Sequence, residues 1–337
     1  MVLIVFEFIL CSAVIVYCGS NLSKYGDVIA EKTGLGRVWI GLILMASVTS
    51  LPELITGISS VTIADVPDIA LGNIMGACVI NLSIIAIIDI LHGKKPIFSE
   101  SEHGHILSAG FGIILISLAS ISILANQNIP AIGHIGIYTL VIILVYGIGI
   151  RSVFLFEKKK IREFAGKMVQ TLHYEHITTK EAVVKYAINA IFIIGAAAWL
   201  PFIGERLAEE TGMGRSFVGT VFIALTTTLP ELVVSVSALK IGAADMAIAN
   251  LFGSNMFNIL ILAIDDILYI KGPILSAVSL THAVTGFMAV LMTGIAIVSP
   301  TYRLKKKVFL RLGWDAIALL LAFIINIYLL YSLRGQG

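Results

Sequence analysis

Two glutamates in this chain sit where an ionised side chain is costly, and each directly follows a proline. The segments read Ser50-Leu51-Pro52-Glu53-Leu54 and Thr228-Leu229-Pro230-Glu231-Leu232, each inside an apolar run long enough to cross a bilayer. A carboxylate in hydrocarbon is expensive and marks a functional position. Proline removes a backbone N–H and leaves a carbonyl one turn back without its usual donor. Thr49 and Thr227 each precede their proline by three residues, so carbonyls in these broken turns are candidate oxygen ligands. After a short acidic turn (Ala64-Asp65, Ala244-Asp245), a second apolar segment carries Asn81 in one copy and Asn258 in the other. Hydroxyls at Ser50, Thr227, Thr228 and Ser254 add neutral oxygen. An anionic, oxygen-rich cage suits a hard cation such as Ca²⁺ or Na⁺. It contains no thiolate or imidazole cluster for a softer metal. Two carboxylates balance one divalent charge, which makes ionised glutamates tolerable at the midplane.

The elements that must position these residues are membrane spans. Hydrophobic residues make up 58% of the 337 and charged residues 13%, and the mean hydropathy is +0.98. The apolar runs last about 17–25 residues, the length a helix needs to cross a bilayer. The net charge of +2 points to no nucleic-acid or acidic partner. The fold class expected is all-α: a polytopic protein of ten spans, over about 2–18, 38–61, 68–90, 105–124, 131–150, 183–201, 215–239, 244–264, 274–298 and 311–331. The first run lacks a preceding basic residue and is interrupted by Glu7, which favours a retained span over a cleaved signal peptide.

Residues 152–182, with Lys158-Lys159-Lys160, are the one strongly polar segment and read as a helix-rich linker. It separates a first half, 1–151, from a second, 183–333. With the N-terminus outside, 19 of the 23 basic residues fall on the cytoplasmic side and 4 outside, as the positive-inside rule requires. Five spans per half set the halves upside down relative to one another, so the duplication is an inverted repeat with broken helices at the midplane. The copies align from Thr49-Ser50-Leu51-Pro52-Glu53 with Thr227-Thr228-Leu229-Pro230-Glu231 through to Asn81 and Asn258, the first with one extra residue in the turn. Gly72 and Gly76 form a G-x-x-x-G, expected to serve close helix packing, and Gly57 faces a similar crowded region.

The paired Pro-Glu segments followed by G-x-x-x-x-N resemble the alpha repeats of the sodium/calcium exchanger family, within the cation/calcium antiporter superfamily. The second copy keeps Gly253-Ser254-Asn255-Met256-Phe257-Asn258, the family's G-S-N-x-x-N, intact. The repeats cover about 41–90 and 219–268, and ten spans with a central cytoplasmic linker match the prokaryotic branch. The resemblance implies a secondary antiporter, not an enzyme, exchanging Na⁺ for Ca²⁺ by alternating access in a prokaryotic plasma membrane. By motif it assigns Ca²⁺ to Glu53 and Glu231 with Thr49 and Thr227, places Asn81 and Asn258 nearby, and makes Ser254 a Na⁺ ligand. It implies that the first and sixth spans slide across the core as gates. The chain departs from the pattern at Val48 and Thr226 in place of glycine, at Ala77-Cys78 in place of Ser-Asn, and at Asn258, where some relatives carry Asp. Ala77 lacks the hydroxyl of Ser254, so one Na⁺ position is expected to be weakened or missing.

No cofactor is expected; the ligands are transported Ca²⁺ and Na⁺, with H⁺ the alternative coupling ion. A proton-coupled exchanger is the nearest alternative, a cation channel the next. Membrane lipid is the other partner, and the oligomeric state is left open, a monomer being compatible. Cys11, Cys18 and Cys78 read as small packing residues. Glu7 is expected to reach the headgroups. Asp89, Asp265 and Asp266 fall close to span ends, where solvent contact is cheap, with ion access through Asp265-Asp266 as the other reading. The histidines show no metal-binding spacing and are assigned no role.

Overall fold

The computed structural model describes residues 1–33, 49–93, 97, 105–125, 130–164, 176–240, 244–302 and 313–333. Almost all of these are helical. The elements are α1 (Val2–Thr33), α2 (Leu51–Ala64), α3 (Pro67–Leu91), α4 (His105–Ala125), α5 (Ile137–Phe164), α6 (Thr179–Thr211), α7 (Arg215–Thr227), α8 (Leu229–Lys240), α9 (Ala244–Leu268), α10 (Thr281–Tyr302) and α11 (Trp314–Leu333). One small hairpin, β1 (Ala131–Ile132) with β2 (Ile135–Gly136), precedes α5.

Eight described helices are long and apolar enough to cross a membrane, and the bent pair α7–α8 makes up to nine. The expected span at 38–61 lies partly outside the described residues; its described part is α2. The span expected from 274 begins later, because residues 274–276 form a 3₁₀ turn and the helix starts at Thr281. Helices α1 and α6 run far past the expected boundaries, to 32 and 33 residues. At 1.5 Å per residue each is about 50 Å long, more than the roughly 30 Å hydrocarbon layer, so both continue beyond it or cross it at a steep tilt. Local signals set the ends of α6. Thr178 caps its first turn by accepting from the Glu181 N–H at 3.2 Å, and Gly212 closes it in the left-handed conformation at φ 66°.

Burial separates the centre from the lipid-facing shell. The spans in α3 and α9 are 83% and 78% buried, against 28% for α1 and 22% for α5. Those two helices carry the distal asparagines, so the repeated segments form the middle of the protein. Close approach is bought with glycine at α3. A β-carbon on Gly72 would lie 2.9 Å from the Thr220 amide nitrogen, and one on Gly76 would lie 2.3 Å from the Thr220 carbonyl oxygen. The G-x-x-x-G therefore seats α3 on the π-helical turn Gly219–Ile223 of α7.

Asp89 and Asp266 differ from the sequence expectation. Both are fully buried, as is Asp265. Asp89 accepts from the amides of Ile97 (2.7 Å) and Gly313 (2.9 Å); Asp266 accepts from those of Ile274 (2.7 Å) and Gly136 (2.9 Å). Asp266, Ile274 and Gly313 lie 177 positions after Asp89, Ile97 and Gly136 respectively, so each carboxylate fastens a loop of its own half and one of the other. Loop amides replace water there, which is why a span-end position does not reach solvent. Glu7 also differs: it pairs with Arg206 of α6 and accepts from the Trp199 indole at 3.4 Å. The three cysteines are buried and free.

Candidate cation-binding site

Pro52 and Pro230 begin α2 and α8, and the residue two positions before each takes the same kinked backbone. Ser50 has φ −86°, ψ 13°, and Thr228 has φ −85°, ψ 0°. In the second copy the axes of α7 and α8 differ by 41° at this break. The glutamate after each proline falls in the first turn of its new helix. Both side chains are completely buried.

The two halves reach across to each other's glutamate. Ser50 donates its hydroxyl to Glu231 Oε1 at 3.0 Å, and Thr49 also approaches that carboxyl. Thr227 lies beside Glu53 and donates to Asn73 Oδ1 at 2.8 Å. The two carboxyls are near enough to repel one another. Both oxygens of Glu53 and Oε2 of Glu231 have no hydrogen-bond donor among the described residues. Ser254 Oγ, Asn81 Oδ1 and both polar atoms of Asn258 likewise have no hydrogen-bond partner among the described residues. Such groups are costly to bury unpaired. Oxygen from two carboxylates, two amides and a hydroxyl is the donor set of a hard cation.

Of the nine residues singled out from sequence, all are buried. Glu53, Glu231, Thr49, Ser50 and Thr227 come together at the breaks. Asn81, Ser254 and Asn258 are buried on α3 and α9. Thr228 stands apart in role, since its hydroxyl turns back to the Ala224 carbonyl at 2.8 Å. The Ala224 carbonyl also takes the Thr228 N–H at 3.0 Å and the Thr227 hydroxyl at 3.2 Å, so the Thr228 hydroxyl closes the last turn before the break.

Sequence reasoning missed the amides that brace the ligands. Asn255 accepts from Asn81 Nδ2 at 3.0 Å and donates to the Cys78 carbonyl at 3.2 Å, tying α9 to α3. Asn73 takes the Thr227 hydroxyl. Asn73 and Asn250 occupy equivalent positions in the two copies, which was the available signal. Asp265, expected near a span end with ion access as the other reading, is instead fully buried.

A model of the family described as sodium/calcium exchanger protein matches residues 3–153 and again residues 182–332. The chain belongs to the sodium/calcium exchanger protein family. Among relatives of this exchanger-family chain, the sodium/calcium exchanger MaX1 of Methanosarcina acetivorans is 25% identical over 98% of this chain and 99% of its own. The putative antiporter CaxA of Alkalimonas amylolytica is 26% identical over 75% and 77%. Solved structures of the sodium-calcium exchanger NCX_Mj superpose with a TM-score of 0.63 at 20% identity, covering 97% of this chain and 98% of theirs. They share its fold.

The two long helices pack against each other and over both breaks. Helices α1 and α6 lie against each other; α1 touches the α7–α8 break and α6 touches α2. Gly19 of α1 rests on the Pro230 ring, where a β-carbon would meet Cγ at 2.7 Å. Ser12 of α1 meets Thr226 at 3.1 Å. In α6, Pro201 cannot donate to the carbonyl of Ala197, and Thr56 of α2 donates there instead at 3.2 Å. Ser59 donates to the next carbonyl, Ala198, at 2.6 Å.

Proposed function

We propose that this protein exchanges Na⁺ for Ca²⁺ across the membrane, with Glu53 and Glu231 holding the divalent ion between its two halves. The observation that carries the reading is the pair of buried carboxyls, with three of their four oxygens lacking a donor among the described residues and each glutamate approached by hydroxyls of the opposite copy. Carbonyl oxygens at Thr49 and Thr227 and the amides of Asn81 and Asn258 complete the cage, and Ser254 serves Na⁺. When Ca²⁺ leaves, the two negative charges need replacement, and entering Na⁺ supplies it. That mutual exclusion is the coupling: the emptied anionic site is too costly to traverse the bilayer.

Helices α1 and α6 act as one sliding unit over the two breaks. Among the described residues, their contacts at the breaks are made by glycine, hydroxyls and carbonyls, and one salt bridge, Glu205 to Arg215 at 2.7 Å, ties α6 to the start of α7. The chain divides into 1–151, a linker at 152–182 and 183–333, a division supported by the two separate family matches. The N-terminus faces outside and the linker the cytoplasm, in a prokaryotic plasma membrane, and a single copy contains the whole site. The family match does not favour a proton-coupled exchanger.

Vesicles containing the purified protein and loaded with Ca²⁺ test this. Ca²⁺ should leave when Na⁺ is added outside and should not respond to K⁺ or pH gradients. Release driven equally by a pH gradient without Na⁺ overturns the assignment.

A further inference from the structure

Asp265 is a carboxylate that the paired-glutamate site does not use. It stands seven residues beyond Asn258 on α9, on the same face and two turns further along. That direction leads to the end of the protein where Asp65, just past α2, pairs with Lys271. The Asp265 side chain is fully buried, and neither oxygen meets a donor among the described residues. It faces α2 at Gly57, where a β-carbon would fall 2.4 Å from Oδ2 and 2.8 Å from Oδ1. Gly57 is four residues after Glu53, directly above it on the same face of α2. The glycine notch therefore holds the Asp265 carboxylate one turn from the paired-glutamate site.

The neighbouring acid shows what a structural role looks like. Asp266 accepts from Gly136 and Ile274 amides and from the Tyr138 and Thr139 hydroxyls. Its counterpart Asp89 is likewise held by two amides. The residue corresponding to Asp265 in the first half is Ile88, packed in the apolar core. The fold thus closes at this level without a carboxylate, and Asp265 caps nothing among the described residues.

We propose that Asp265 is a second cation-binding position, between the paired glutamates and the Asp65–Lys271 end, and that it takes Na⁺. The ion's charge follows from the charges nearby. Asp266 is committed to four donors and Asp65 to Lys271, so one carboxylate faces the notch and balances one monovalent charge. A Ca²⁺ ion there would keep an uncompensated charge in an apolar setting. Because Ile88 replaces it in the other half, the route on the opposite side lacks this stop. The two membrane faces then differ in Na⁺ affinity. This inference rests on the Na⁺/Ca²⁺ exchange proposed above.

Wild type, Asp265→Asn and Gly57→Ala are compared in Ca²⁺-loaded vesicles at increasing external Na⁺, and in detergent by thermal unfolding over the same Na⁺ series. Asn keeps the shape and removes the charge; the alanine methyl displaces the carboxylate. Asp265→Asn should raise the half-saturating Na⁺ concentration about five-fold or more in both assays, while half-saturating Ca²⁺ stays within about two-fold of wild type. Gly57→Ala should move it in the same direction. Unchanged Na⁺ dependence in Asp265→Asn overturns the proposal, and so does a change confined to the pH dependence of release, which would make Asp265 a proton carrier. Wild-type vesicles that show no Na⁺-driven release sink the exchange reading; the thermal series still tests Na⁺ at Asp265 independently.

Discussion

At Ser50 and Thr228 the chain turns through nearly the same backbone angles, yet the glutamates that follow meet different surroundings. Glu231 has Ser50 donating to one oxygen; both Glu53 oxygens lack a donor among the described residues. The helices behind them differ in the same sense. Where α9 presents Ser254, Asn255 and Asp265, α3 presents Ala77, Cys78 and Ile88. The two copies share the break and differ in polar content: α9 is the more polar of its pair at these positions, while α2 presents Thr56 and Ser60 where α8 has Val234 and Ala238. Two copies need only meet a geometric requirement to break a helix at the midplane. They need not contribute equally to the ion that we propose they share.

The largest expected effect breaks both halves alike. Glu53→Gln and Glu231→Gln should each weaken Ca²⁺ binding about 100-fold or more, since either loses half the balancing charge in a low-dielectric site. Their effects on the ion-free protein should differ. Glu53→Gln should raise its unfolding temperature more than Glu231→Gln, because Glu53 has no donor among the described residues while Glu231 accepts from Ser50. Equal shifts in ion-free thermal unfolding would remove this asymmetry from the account.

Next come the helix contacts. Gly76→Ala should destabilise by about 1–3 kcal/mol, because its methyl would strike the Thr220 carbonyl and overpack the α3–α7 contact. Gly112→Ala, where a β-carbon meets nothing within 4 Å among the described residues, is the matched control and should be near neutral in the same denaturation series. Asn255→Ala removes a brace with two hydrogen bonds and leaves Asn81 loose; a loss of about 1–3 kcal/mol with weaker Ca²⁺ binding is expected.

The smallest effects concern Na⁺. Ser254→Ala should weaken Na⁺ competition against Ca²⁺ about three- to ten-fold, the cost of one lost oxygen ligand. Ala77→Ser should strengthen it by restoring a hydroxyl at the equivalent place. Ca²⁺ binding measured over a Na⁺ series reads both. No change in either variant would place the hydroxyl position outside the Na⁺ path.

Much of this was legible before the structure. Prolines and carboxylates in apolar runs announce themselves because both are penalised there, and repetition doubles the signal. All nine singled-out residues are buried, and the membrane-spanning architecture follows from run length. Three things were not legible. Asp89, Asp265 and Asp266 look alike near span ends, and only the placement of Gly136, Ile97, Ile274 and Gly313 shows which two are capped. The bracing by Asn255 depends on the crossing of α3 and α9. The full lengths of α1 and α6 were hidden because their last turns are polar, and hydropathy marks the end of an apolar run, not the end of a helix.

The central claim is that one Ca²⁺ is shared by Glu53 and Glu231 and displaced by Na⁺. Equilibrium Ca²⁺ binding to the purified full chain tests it most directly, on wild type, both Gln variants and the double variant, with and without Na⁺. The account predicts one Ca²⁺ per chain, released by Na⁺, with either single substitution costing nearly as much as both. Wild-type Ca²⁺ affinity in either single variant, or two Ca²⁺ lost one at a time, would contradict it.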